Sequence, residues 1–204
     1  MTVLRIGIYG GTFDPPHAAH LALARLALLR LHLASVHWVL SNPWQKTGFS
    51  TASERLAMLR LALNGEEGQV IDTCEIDRGG PSYTWQTIRG FQKRFPGAEL
   101  FLLIGGDQLA NFLTWAQYEE IIASVSVAVF VRKDGPAVPE EVFRAFASQN
   151  KRPLIFREEI PGTSSTFIRS CVEKKIRLDD TILNPDVARY IYDKGLYAKE
   201  EHGQ

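Results

Sequence analysis

The chain has no excess charge of either sign. Lys and Arg total 23 among its 204 residues, and Asp and Glu also total 23. Because no overall field would recruit nucleic acid or an acidic membrane, we expect neither as a partner. Any anionic ligand must then be held by a local group of residues. The length predicts a single α/β domain over 1–204, with a sheet core over about 1–160 and a helical region over about 161–198.

Cysteines and long apolar runs are also scarce. The two cysteines, Cys74 and Cys171, show no pairing pattern, which predicts reduced thiols and a cytoplasmic location. The first residues predict a strand and not a signal peptide. The stretch Leu21–Leu33 is rich in leucine, but it is too short to cross a membrane and carries two arginines and a histidine. We interpret it as a buried crossover helix.

The common phosphate-binding patterns GxGxxG and GxxxxGK[ST] are missing, yet the stretch VLRIGIYGGTFDPPHAAH predicts an anion site. An apolar strand, Leu4–Tyr9, runs into Gly10-Gly11, where the backbone can turn tightly and approach a ligand. Pro15-Pro16 then favours the start of a helix. His17 and His20 share one face of its first turn, beside free N–H groups and the positive end of the helix dipole.

Two other interpretations of these histidines stay open. Glycine-rich turns are common between strands and helices, so both imidazoles could be structural. Two histidines could also bind zinc, but helical zinc pairs usually stand four residues apart, and the two cysteines are distant in sequence. We therefore predict no metal ligands among the side chains.

Apolar runs alternate with amphipathic stretches after the first helix, which predicts βαβ units and a doubly wound, Rossmann-like parallel sheet of five to six strands. The predicted strands are Leu4–Tyr9, Ser35–Leu40, Val70–Ile76, Leu100–Ile104, Val125–Val131 and Leu154–Phe156. Helices are expected from Ser164 to about Lys194, with a break at Asn184-Pro185, followed by a mobile polar tail, Lys199–Gln204. The turns at Gly10-Gly11 and Gly105-Gly106 both follow strand ends and could line one crevice.

A second motif, GTSSTFIR, occupies Gly162–Arg169. Serine and threonine before a helix cap its N-terminus. The same N–H groups, the hydroxyls and Arg169 could also hold a polyphosphate. The two uses are compatible.

The segment GGTFDPPHAAH resembles the GGTFDPxHxGH signature of the nucleotidyltransferase superfamily and, more narrowly, of bacterial nicotinate mononucleotide adenylyltransferases. The later segment matches that family's SSTxIR completely, and Ser82–Thr87 is similar to its SYTxDT. Ala19 stands where the family usually has glycine, and Gln86 replaces an acidic residue.

This resemblance implies transfer of AMP from ATP to nicotinate mononucleotide with release of pyrophosphate, assisted by Mg²⁺. It implies catalytic roles for His17 and His20. The ATP-binding residues that it implies are Gly10, Gly11, Thr12, Phe13, Gly105, Gly106, Asp107, Arg132, Ser165, Thr166 and Arg169. Those implied for the mononucleotide are Asn42, Lys46, Tyr83, Thr84 and Trp115, with Trp115 stacking on the pyridine ring.

Several alternatives remain at this point. Trp115 and Tyr118 could be ordinary core residues, and Lys46 and Arg132 could simply be solvated. Pro43–Phe49 is a candidate closing loop by composition. Nicotinamide mononucleotide and phosphopantetheine are rival substrates, cytidylyl transfer is a third, and a non-catalytic nucleotide sensor is a fourth. The oligomeric state is open, with a homo-oligomer as one outcome.

Overall fold

A computed structural model describes residues 3–42, 50–131 and 137–198. Six parallel strands form one sheet in the order β3-β2-β1-β4-β5-β6. The strands are β1 Arg5–Gly11, β2 Ser35–Leu40, β3 Gln69–Asp72, β4 Glu99–Gly105, β5 Ser126–Val131 and β6 Leu154–Arg157. This is the strand order of the doubly wound Rossmann fold.

Helices cover both faces of the sheet, as parallel strands require. They are α1 Ala18–Arg30, α2 Ala52–Ala62, α3 Cys74–Arg78, α4 Thr84–Arg94, α5 Gly106–Ala110, α6 Tyr118–Ser124, α7 Glu140–Ala147, α8 Ser165–Glu173 and α9 Pro185–Asp193, with a short 3₁₀ turn at Phe112–Thr114. Among the described residues, no helix is both long and apolar enough to span a bilayer.

The order in which successive strands join the sheet reverses between β1 and β4. β1 pairs with β2 on one side and with β4 on the other. All four central strands are apolar and nearly fully buried, because helices pack against both of their faces. The connections that follow the carboxyl ends of β1 and β4 therefore run apart and leave a crevice between them.

The predicted sheet is confirmed, but the third strand is much shorter than we predicted. The third strand was expected over Val70–Ile76, and it ends at Asp72. Cys74–Arg78 is instead a short helix. The carboxylate of Asp72 accepts a hydrogen bond from the backbone N–H of Cys74 at 3.1 Å, which turns the chain out of the sheet.

The C-terminal helices α8 and α9 pack against α2. Asn184 caps α9 by accepting from the N–H groups of Asp186 and Val187, and Pro185 occupies the first helical position. The buried side chains of α9 join those of α2 and α8 in one apolar cluster. The predicted tail, Lys199–Gln204, lies outside the described residues.

Candidate active site

The glycine turns after β1 and β4 open onto one cleft of about 840 Å³. Of the predicted site residues, this cleft is lined by Gly10, Gly11, Thr12, Phe13, His17, His20, Thr84, Gly105, Gly106, Asp107, Ser165, Thr166 and Arg169. Residues distant in sequence thus meet at the crossover point where Rossmann-like sheets bind ligands.

Two glycines of these turns are required by close packing. A Cβ on Gly11 would lie 2.8 Å from the ring of Phe13, and one on Gly106 would lie 2.8 Å from Val131. Phe13 itself is buried and has a positive φ of 49°. Its ring contacts the ring of His20 edge-on, with centroids 5.2 Å apart. Phe13 therefore supports the imidazole of His20, and it also lines the cleft.

The two histidines form a stacked pair at the start of α1. Their ring centroids lie 3.7 Å apart with planes inclined by 23°. His17 occupies the N-cap position in extended backbone, and His20 is in the first turn. Both face the cleft, so their imidazoles stand where helix N–H groups and the helix dipole attract an anion.

The backbone fixes the tautomer of His20. The N–H of His17 donates to Nδ1 of His20 at 3.3 Å, so a neutral His20 carries its proton on Nε2. Burial lowers the pKa of His20 well below its ordinary value of 6.5, and the neighbouring His17 lowers it further. At neutral pH the ligand-free site thus contains a neutral imidazole that can donate from Nε2.

Helix α8, which begins within the SSTFIR motif, is hydrogen-bonded directly to the loop that precedes the histidines. The hydroxyl of Ser165 donates to the carbonyl of Pro15 at 2.9 Å, and Nη1 of Arg169 donates to the carbonyl of Asp14 at 2.6 Å. A hydroxyl has one proton, so Ser165 can only accept through its oxygen in this conformation. Arg169 has five N–H donors and can keep this bond while it contacts a phosphate.

Arg55 anchors the same loop from within α2. Arg55 is only 2% exposed, and its Nη1 donates to the carbonyls of Thr12 and Ser41 at 3.0 and 2.8 Å. Nε donates to the carbonyl of Ser50 at 3.2 Å. Burial lowers the pKa of Arg55, but an arginine stays charged under such conditions. One buried cation therefore joins the first motif to the residues on either side of 43–49.

Of the residues predicted to bind the mononucleotide, only some line the cleft. Thr84 begins α4 and lines the cleft with Ser82, whose hydroxyl accepts from the N–H of Asn42 at 2.9 Å. Asn42 therefore contacts Ser82, which lines the cleft, but does not line the cleft itself. Tyr83 and Trp115 do not line the cleft; Trp115 packs against Phe112 with ring centroids 5.3 Å apart. Trp115 and Tyr118 are both partly buried against the main core cluster, so the stacking role of Trp115 stays a prediction.

Three predictions fall on residues outside the described ranges. These are Lys46, Arg132 and the closing loop Pro43–Phe49. They stay predictions.

Sequence reasoning missed several residues that shape the cleft or hold it: Ser41, Arg55, Glu75, Thr163 and Tyr197. Glu75 lines the cleft, is 6% exposed and accepts from the hydroxyl of Thr87 at 2.5 Å. Arg55 carried a usable signal, because it stands three and four residues before Met58 and Leu59, on the apolar face of its helix. The others have polar side chains in helices or loops, for which solvent exposure is the ordinary expectation.

Comparison with known proteins agrees with this geometry. Residues 8–170 match the model of the cytidylyltransferase-like family. A "probable nicotinate-nucleotide adenylyltransferase" of Bordetella petrii is 39% identical and covers 95% of this chain and 98% of its own. One of the same description from Methylibium petroleiphilum is 38% identical, covering 98% and 95%.

Solved structures share the fold. Plasmodium falciparum nicotinic acid mononucleotide adenylyltransferase, solved with APC and with NaAD, superimposes with a TM-score of 0.76 in both cases. It covers 95% of this chain and 97% of its own, at 17% and 19% identity.

The parallel sheet, the crevice and the histidine motif define a nucleotidyltransferase of the cytidylyltransferase-like class. Within that class, the chain belongs to the nicotinate-nucleotide adenylyltransferase family.

Proposed function

We propose that the cleft transfers the adenylyl group of ATP to nicotinate mononucleotide, forming the deamido dinucleotide of NAD biosynthesis and pyrophosphate. The observation that carries this proposal is the stacked pair His17 and His20, faced across one loop by Ser165, Thr166 and Arg169. The phosphate of the mononucleotide attacks the α-phosphorus of ATP in line, and the bond to the leaving pyrophosphate breaks. No covalent intermediate with the enzyme is required.

The protein's part is to align two anions and to neutralise the charge that develops between them. We assign the Nε2–H of His20, with His17, to the oxygens of the α-phosphate. The arrival of the triphosphate favours a protonated imidazole, because an anion close by raises the pKa that burial has lowered. Arg169 and the N-terminus of α8 are assigned to the β- and γ-phosphates.

The glycines after β4 are assigned to the nucleoside of ATP. Gly105 and Gly106 line the cleft at the end of β4, and Asp107 provides an exposed carboxylate for ribose hydroxyls. Thr12 and the turn Gly10-Gly11 form the opposite wall. Arg132 completes this set by prediction.

The donor set fits Mg²⁺ carried by ATP better than a resident metal. Within the described ranges, no three His, Cys, Asp or Glu side chains converge to hold an ion. Two of the carboxylates that line the cleft, Asp14 and Glu75, already accept hydrogen bonds from protein groups. Asp107 is the exposed one that could add a ligand, and Mg²⁺ commonly combines one carboxylate with substrate phosphates. When bound, the ion would supply charge neutralisation on the leaving pyrophosphate.

The start of α4 favours a substrate whose pyridine ring carries a carboxylate. The first residue of this helix, Thr84, lines the cleft, and its first turn has no acidic residue. Backbone N–H groups beside Thr84 can therefore bind a carboxylate.

Nicotinamide mononucleotide is the second candidate substrate, because the buried carboxylate of Glu75 lies in the same cleft. A carboxylate accepts hydrogen bonds from an amide NH₂ and repels a second carboxylate. A cytoplasmic location is also part of the proposal, supported by the two free cysteines.

The test is pyrophosphate release with Mg²⁺-ATP, comparing nicotinate mononucleotide, its amide and phosphopantetheine side by side. We expect a strong preference for the acid. Turnover of the amide alone would keep the catalytic assignments and overturn those at the start of α4. Silence with all three would favour the nucleotide-sensor interpretation.

A further inference from the structure

A tyrosine from the C-terminal segment reaches the first nucleotide-binding motif. The hydroxyl of Tyr197 donates to Oδ1 of Asp14 at 2.5 Å, across 183 positions of sequence. A turn at the end of α9 places it there: the N–H of Leu196 donates to the carbonyl of Ile191 at 3.0 Å. The hydroxyl also lies 3.8 Å from Sδ of Met58, and the ring belongs to the cluster between α2 and α9.

Asp14 connects this tyrosine to the functional loop. It is 1% exposed, and its second carboxylate oxygen accepts from the N–H of Ser50 at 3.2 Å. Its backbone carbonyl accepts the bond from Arg169. Asp14 also stands three residues before His17. A displacement of Asp14 would therefore move both the phosphate-binding arginine and the first histidine.

The hydroxyl of Tyr197 remains a donor over the whole range of working pH. Burial raises its pKa above the ordinary value of 10.0, and the hydrogen bond to Asp14 raises it further. The bond does not depend on a titration step and acts as a constant support.

We propose that Tyr197 is a positioning residue for adenylyl transfer: its hydroxyl holds Asp14, and through Asp14 it sets the placement of His17 and Arg169. This inference rests on the proposed function, because it concerns the same transition state. It adds a residue from the C-terminal segment, which the GGTFDPPH and SSTFIR motifs do not include.

The direct test is Tyr197→Phe, which removes the hydroxyl and keeps the ring. We expect kcat to fall about 10-fold, while the KM values of both substrates change less than about twofold. A loss in kcat alone indicates that an interaction made only in the transition state has weakened. Small displacements of catalytic groups are sufficient for losses of this size.

Tyr192→Phe is the matched control, since it removes a hydroxyl from α9, shortly before Tyr197, at a residue that is 53% exposed. Met58→Leu is a second control, which alters the packing next to Tyr197 and leaves its hydroxyl in place. We expect both controls to keep the wild-type kcat. Circular dichroism at the assay temperature gives the folded fraction, and rates are expressed per folded molecule.

Wild-type kcat in folded Tyr197→Phe would overturn the inference. So would a loss of kcat that disappears after correction for the folded fraction, or an equal loss in Met58→Leu. An inactive wild-type enzyme would be a different result, because it contradicts the proposed function itself.

Discussion

The histidine pair shows how the surroundings of a residue, here His20, determine its protonation state. His20 receives the backbone N–H of His17 on Nδ1 and lies among the rings of Tyr9 and Phe13. Burial and the proximity of His17 disfavour its charged form. The ligand-free site therefore holds donors without a permanent charge on His20, and the charge can develop when the triphosphate arrives.

Replacing His20 by alanine tests this arrangement. We expect His20→Ala to lose roughly 10²–10³ in kcat, the usual cost of one transition-state donor. The protein should stay folded, because the neighbouring rings of Tyr9 and Phe13 pack on Trp38 as well. His32→Asn is the control: His32 is exposed and has a positive φ of 48°, which asparagine tolerates. A near-normal kcat in folded His20→Ala would contradict the assignment.

The lowered pKa of His20 also predicts how stability depends on pH. Since its pKa in the folded state lies below the ordinary 6.5, the unfolded chain binds more protons between the two values. The contribution of the neutral imidazole is fully present above pH 6.5 and is lost as the pH falls toward the folded-state pKa.

Urea unfolding between about pH 8 and pH 5 should show this loss in the wild type, with a smaller pH dependence in His20→Ala. Equal slopes for the two proteins would mean that the pKa of His20 is the same in both states.

At the scale of single residues, the sequence predicted those that belong to a contiguous motif. His17, His20, Ser165 and Arg169 could be named because turn glycines, a helix start and capping hydroxyls surround them. Arg55, Asp14 and Tyr197 could not be assigned supporting roles, since their bonds cross between segments far apart in sequence. Periodicity describes one element at a time and contains no information on such pairs.

Among the secondary-structure elements, the buried strands were the easiest to predict. Ser35–Leu40 was predicted with the boundaries that the structure shows, because it is buried from its second residue onward and is flanked by loop residues. The third strand was predicted too long, because the sequence pattern does not distinguish a short exposed strand from a helix start. What ends it is the hydrogen bond that the carboxylate of Asp72 accepts from the N–H of Cys74; this carboxylate also pairs with His37 and Arg94.

The cap of α9 supports another prediction at this scale. Asn184→Ala removes the oxygen that accepts from two backbone N–H groups, so the free energy of unfolding should fall by about 1 kcal/mol. For a chain of this size, that corresponds to a decrease in Tm of roughly 2–4 °C. Asn184→Ser keeps a capping oxygen and should stay near the wild-type Tm in thermal unfolding. An unchanged Tm in Asn184→Ala would show that the cap contributes nothing.

The whole molecule is arranged around one crevice. β1 and β4 supply its floor, α1 and α8 supply facing N-termini, and α2 holds the loop between them through Arg55. Each wall comes from a different stretch of the chain. A nucleotide that contacts all of them should therefore stabilise the fold as a whole.

A non-hydrolysable ATP analogue with Mg²⁺ tests this coupling. At about 100 times its Kd, a ligand adds roughly 2.7 kcal/mol to the free energy of unfolding. We expect an increase in Tm of roughly 5–10 °C. Arg169→Ala should lose most of this shift relative to its own ligand-free Tm, whereas Arg177→Ala, at an exposed position after α8, should keep it. An unchanged shift in Arg169→Ala would remove Arg169 from the phosphate site.

The bond between Tyr197 and Asp14 has a consequence for synthesis of the chain. The loop that contains Asp14 leaves the ribosome well before its partner Tyr197, which follows 183 residues later. At about 5–20 residues per second, the loop waits roughly 10–40 seconds for that partner. Helix α1 waits similarly for the carbonyl of Ile182, which accepts from the N–H of Ala18. A nascent chain can thus form the first strands early, but it completes the contacts of this loop only after Tyr197 has been synthesised.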